Sequence, residues 1–107
     1  MKSDPTLPTL ETLPNNMSVD SIDTTLAQRG SQYGEFTEHA RITQNIKAAM
    51  QDSPNWDKLP PNMKESLEMI AHKVGRILNG NPYYHDSWHD MVGYAKLVAD
   101  EVVGISK

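Results

Sequence analysis

The run from Asn62 to Asn79 constrains this chain more than any other stretch. Met63, Leu67, Ile70, Val74 and Ile77 recur in steps of four, three, four and three, and Ala71 and Leu78 widen the stripe. That spacing places every one of them on one side of an α-helix, whereas on a strand it would scatter them over both faces. The run is fenced at both ends. Pro60-Pro61 opens it at the position where a missing backbone N–H costs nothing, Gly80 closes it, and Pro82 prevents its resumption. One long amphipathic helix needs others to cover its stripe, and no stretch here shows the alternation of a half-buried strand.

The remaining segments predict three further helices. Ser18 to Gln28 is a short helix, with Ser18 as N-cap, Asp20 and Asp23 at the positive end of the dipole, and Val19, Ile22 and Leu26 on one face. Gly30 is expected to stop it, leaving Arg29 to Gly34 as a loop with two glycines. Glu35 to Gln51 repeats apolar or aromatic positions at Phe36, His39, Ile42 or Thr43, Ile46 and Ala49 or Met50, and Pro54 ends it. Trp56 and Leu59 are expected to anchor the following loop. The last helix spans about Asp86 to Val103, capped by Asp86 or Ser87, with Trp88, Met91, Val92, Ala95, Val98, Ala99 and Val102 as its apolar face. The fold class is therefore all-α, a small four-helix bundle-like domain over residues 18–107. Residues 1–17, with Pro5, Pro8 and Pro14, read as an extended or disordered leader. Its Leu7, Leu10 and Leu13 could instead lie in a groove on a neighbouring subunit.

Composition narrows the partners. With 107 residues and 37% hydrophobic content the core is small, which points to a homo-oligomer as a source of added stability. A net charge of −4 without any basic run argues against nonspecific nucleic-acid binding. The absence of cysteine removes disulfides, thiolate catalysis and cysteine zinc sites together, and fits a reducing compartment. No apolar run reaches membrane-spanning length, so no membrane partner and a cytoplasmic location are expected.

Chemistry-bearing residues gather on either side of the Gly-Asn-Pro break. Asp86, His89 and Asp90 lie one turn apart on the last helix, and two carboxylates there could hold magnesium, which keeps its waters for substrate phosphates. The same acids could simply complement the helix dipole. Lys73 and Arg76 reach toward them from the preceding helix. Arg76 could fork onto phosphate oxygens and Lys73 act as a point charge, or both could pair with Asp86 or Asp90 across the break. Glu35 and Glu38, like Glu65 and Glu68, form E-x-x-E pairs, the arrangement by which helical bundles assemble metal sites. Glu65 and Glu68 lie away from the apolar stripe, on a solvated face. His39, His85 and His89 are potential metal ligands, but His85 is expected in the loop, which leaves no two histidines one turn apart on a helix. Tyr83, Tyr84 and Tyr94 could stack on a base or pack beside the core.

Lys73-x-x-Arg76-Ile77-x-x-Gly80-Asn81, followed by Asp86-Ser87-Trp88-x-Asp90-x-x-Gly93-Tyr94-Ala95-x-Leu97, resembles a group of small phage and prophage helical proteins of unknown function. Arg29 with Tyr33-Gly34 matches the same group, and the resemblance spans roughly Ile22 to Glu101. The closing pattern is similar to the phage nucleotide-modification-associated domains and, more distantly, to the MazG-like all-α nucleoside triphosphate pyrophosphohydrolases. Those enzymes hold magnesium against a triphosphate with an E-x-x-E helix and an E-x-x-D helix. Carried over, Asp90 takes the place of the final Asp, while Ser87 stands where the Glu belongs. Glu65 and Glu68 have about the right separation for the first pair but not its orientation, and Glu35 and Glu38 lie too far upstream. The resemblance thus implies a degenerate site that binds a nucleotide.

Residues and resemblance together predict a protein that binds or processes a (deoxy)nucleotide. Lys73, Arg76 and Tyr94 would contact the nucleotide, with Asp86, Asp90 and Glu38 around magnesium. If it is an enzyme, metal-dependent pyrophosphohydrolysis is the reaction class. The alternative is a noncatalytic interaction protein or accessory phage factor.

Overall fold

The computed structural model describes residues 19–106, with side chains for residues 21–105; the predicted leader lies outside the described residues. Four α-helices follow one another: α1 (Val19–Tyr33), α2 (Phe36–Gln51), α3 (Pro61–Asn79) and α4 (His85–Ser106), with a short 3₁₀ turn at Trp56–Lys58 between α2 and α3. The described residues hold no strand, so the all-α class stands. The two ends of α3 follow the sequence signals. Pro61 occupies the first turn, and the Gly80 N–H closes the last by donating to the Arg76 carbonyl at 2.9 Å.

Two boundaries depart from expectation. Helix α1 runs through Gly30 to Tyr33, and the break falls at Gly34, whose φ of 81° is the left-handed conformation that favours glycine. The Gly34 N–H returns to the Gly30 carbonyl at 2.8 Å, so the second glycine of the loop, not the first, ends the helix. Tertiary contacts hold that extra turn in place. The Asn79 amide donates to the carbonyls of Tyr33 (2.9 Å) and Glu35 (2.8 Å), and the Asn81 N–H donates to the Gln32 carbonyl at 2.6 Å. Helix α4 begins at His85, so Asp86 and Ser87 lie inside its first turn and do not cap it from outside.

Helix α3 sits in the middle. On one flank α2 comes so close at Gly75 that an added Cβ would lie 2.1 Å from Thr43 Oγ1 and 2.9 Å from His39 Cδ2. On the other flank α4 runs antiparallel. Asn62 bonds Glu101, Ser66 Oγ donates to the Tyr94 carbonyl at 2.8 Å, and Lys73 Nζ lies 3.0 Å from Asp90 Oδ2. Helices α2 and α4 make no substantial contact with each other. The arrangement is bundle-like but open on one side, and its Cα radius of gyration of 16.3 Å exceeds the roughly 13 Å of a compact domain of this size.

The openness decides where the apolar residues go. Among the described residues only Trp56 and Ala71 are buried hydrophobic side chains, Trp56 serving as the predicted loop anchor. Met63, Ile70, Val74 and Ile77 are half-buried, and Leu67 and Leu78 are exposed. Leu59, Met63, Leu67 and Ile70 line an apolar groove of about 240 Å³ together with Ala95 and Val98 of α4. The face of α4 expected to be core also leaves Trp88, Val92 and Val102 exposed. The stripes are real; among the described residues nothing covers them fully.

Close approach and open space give two glycines opposite sensitivities. Gly75→Ala is expected to cost about 1–3 kcal/mol, because Thr43 and His39 must be pushed from a packed seam. Gly30→Ala, inside α1 with nothing within 4 Å, is expected to stabilise by roughly 0.5–1 kcal/mol. Urea denaturation of the two variants measures both signs.

Candidate functional site

Polar side chains are buried where apolar ones are not. His39, Thr43, Ser66, Lys73, Arg76 and Ser87 are all buried, and three of the six belong to α3. The two cations are the costly members, since a charge removed from water is tolerated only when paired or hydrogen-bonded. Lys73 is 5% exposed, and its ammonium meets the Asp90 carboxylate, whose side chain remains 41% exposed. Arg76, 6% exposed, lays its guanidinium over the Tyr33 ring, 4.0 Å from its centroid. That ring comes from the extra turn of α1 described above.

The contacts continue into the start of α4. Tyr33 meets Tyr84 edge-on at 5.7 Å, and the Tyr84 hydroxyl faces the Asp86 carboxylate. Hydrogen-bonding attraction to Asp86, and then its negative charge, push the Tyr84 phenol above its ordinary pKa. Trp88 Nε1 donates to the Pro82 carbonyl at 2.8 Å, and the Tyr83 N–H donates to Asn81 Oδ1 at 3.0 Å, which ties down the connecting loop. Ser87 is buried, so the position where a second acid was sought faces the interior. Tyr83, at 90% exposure, stands out from the corner into solvent.

Of the residues singled out in the sequence, Lys73, Arg76, Asp86 and Asp90 come together at this α3–α4 corner. Lys73 makes the ion pair across the break that was one of its two readings. Tyr94 sits one turn further along α4, where its carbonyl accepts from Ser66. Glu38 lies on α2 and is bound by the Arg41 guanidinium, from Nε at 3.0 Å and again from Nη2. The hydrogen bond from Arg41 holds the Glu38 carboxyl below its ordinary pKa. Among the described residues no three His, Cys, Asp or Glu side chains gather to hold a metal ion, so Glu38, Asp86 and Asp90 do not form one such cluster. His85 opens α4 instead of lying in the loop, and its ring lies 5.5 Å from that of His89. The two histidines therefore share a helix one turn apart, with no third ligand beside them among the described residues.

The seam between α2 and α3 was missed from the sequence. His39 Nε2–H donates to the His72 carbonyl at 3.1 Å, and the two imidazoles meet edge-on at 4.6 Å. Beside them Thr43 Oγ1 is buried with no hydrogen-bond partner. Gly75 was the available signal: a glycine inside the best helix costs about 1 kcal/mol relative to alanine and needs a packing reason.

Burial, more than the nearby Arg76, Lys47 and Lys73 charges, depresses the His39 pKa below its ordinary 6.5, against the opposing effect of its bond to His72. The neutral ring is thus the folded form, while an unfolded chain takes up the proton near pH 6.5. The stability this linkage contributes is present above that pH and lost as pH falls toward the depressed folded pKa. The urea midpoint is expected to drop between pH 7.5 and pH 5.5, and to drop less in His39→Gln. An equal drop in both would assign the effect to other groups.

No curated protein and no solved structure matches this chain. Residues 20–102 match a family described as a domain of unknown function, DUF6378.

Proposed function

This chain belongs to the DUF6378 family, a domain of unknown function, and from its own residues we propose that it binds a phosphate-bearing ligand of the nucleotide class at the α3–α4 corner. The buried cation pair carries the reading. Lys73 and Arg76 sit three residues apart on α3, in a molecule that buries only two apolar side chains among its described residues. Departures of this kind from the apolar-core rule concentrate at functional sites. The Asp90 carboxylate that holds Lys73 is open to solvent, so a phosphate can reach the ammonium by displacing or joining it. Arg76 supplies a planar fork suited to phosphate oxygens. Tyr83 offers an exposed ring on which a base can stack.

Magnesium enters this reading as the companion of the ligand's phosphates. Asp86 and Asp90 are the carboxylates within reach, and magnesium commonly takes one or two carboxylates plus water and phosphate. Asp90 is already engaged by the Lys73 ammonium, and Asp86 lies beside the Tyr84 hydroxyl. The donor set does not amount to a preformed metal site, and binding, not hydrolysis, is what these residues support. A phage or prophage origin and a reducing host cytoplasm fit the motif resemblance and the cysteine-free composition. The second reading, a noncatalytic interaction protein, draws on a different observation, the exposed apolar face of α4.

A thermal-shift panel of nucleotides and inorganic triphosphate, with and without magnesium, tests the first reading. A ligand at a hundred times its Kd adds about 2.7 kcal/mol of stability, a shift of several degrees in a domain this small. Lys73→Met is expected to remove the shift. Lys96→Met, which touches only an exposed pair with Asp100, is expected to keep it. A flat panel contradicts ligand binding and leaves the interaction reading.

A further inference from the structure

The apolar groove between α3 and α4 is part of a larger surface. The antiparallel register set by Asn62–Glu101, Ser66–Tyr94 and Lys73–Asp90 brings Leu67 opposite Ala95, Ile70 opposite Val92, and Val74 opposite Trp88. The groove confirms that the two stripes open on the same side, because Leu67 and Ile70 line it together with Ala95 and Val98. We propose that this open apolar side of α3 and α4 is the docking surface for a second copy of the chain.

Three observations select that occupant. The first is the missing layer. Domains are built from two or more packed layers around a core, and here nothing among the described residues covers the stripe of this one layer of helices. Among the described residues only Trp56 and Ala71 are buried apolar side chains, a small core for an independent domain. The second is area. Trp88, Val92, Leu67, Leu78 and Val102, 37–66% exposed, alone leave on the order of 400 Å² uncovered, about half of the roughly 800 Å² per partner of a standard stable interface. That is at the upper end of what monomers leave in one patch. The third is chemistry. The face is apolar along its length and the chain carries −4, which disfavours an anionic lipid surface. Two such faces related by a two-fold axis are self-complementary. The face also leaves the cation corner clear, since Arg76 points about 160° round α3 from Val74.

Helix α4 supplies a matched pair of variants. Val92 and Leu97 are both 66% exposed, but they lie about 140° apart round the helix, and only Val92 belongs to the shared face. On the full chain, sedimentation or light scattering is expected to give the mass of a dimer. Val92→Glu is expected to yield monomer or to lose its folded signal, while Leu97→Glu stays dimeric. A glutamate at a freely exposed position would change stability little, so damage confined to Val92→Glu marks the face as covered. The wild-type Tm is expected to fall by a few degrees on tenfold dilution, since tenfold is about 1.4 kcal/mol and each kcal/mol moves Tm by about 2–4 °C in a unit of this combined size. A monomeric wild type with a concentration-independent Tm overturns the proposal. So does a dimer that both variants keep, or that both lose.

Discussion

Helix α3 is gripped from two sides by polar contacts, and the rest of the molecule depends on that grip. On one flank Gly75 has no side chain, so Thr43 and His39 of α2 sit against the α3 backbone. On the other, the Lys73 ammonium is held by Asp90 of α4. Beyond its C-terminus, Asn79 and Asn81 bond the end of α1 and hold Tyr33 where Arg76 can stack on it. The two flanks of the stripe are thus occupied by glycine, histidine, serine and lysine, and the stripe itself is left facing outward.

This division of labour sets where function can lie. The polar flanks converge at the α3–α4 corner, where Arg76, Tyr33, Tyr84 and Asp86 follow one another in a line and the Lys73–Asp90 ion pair lies beside them. The apolar face carries no such groups. A ligand that recognises charge therefore goes to one side of α3, and a partner that recognises apolar surface goes to the other.

Periodicity, prolines and the terminal glycine made α3 readable almost to the residue, because those signals act within one segment. The Lys73–Asp90 pair was also within reach, since both residues lie close to a short, proline-stiffened connection. Other features depended on partners distant in the chain. Gly30 and Gly34 are equally good helix stops in isolation, and only the bonds from Asn79 and Asn81 decide between them. Glu38 was placed with Asp86 and Asp90 by residue type, yet Arg41, three residues along the same helix, takes its carboxylate first. Helical spacing also shows which side chains share a face and says nothing of what covers it, which is why the α4 stripe was expected inside.

The central claim is that a lysine buried on α3 is held by a carboxylate that reaches it from the solvent side, and stability measurements on Lys73→Met and Asp90→Asn test it directly. Removing Asp90 strands a buried ammonium, and is expected to cost about 2–3 kcal/mol; removing Lys73 frees a carboxylate that water can solvate and leaves an apolar side chain in its place, with a cost near zero. Urea unfolding with Asp90→Asn clearly the weaker variant agrees with this account. Equal losses, or a greater loss in Lys73→Met, would contradict it.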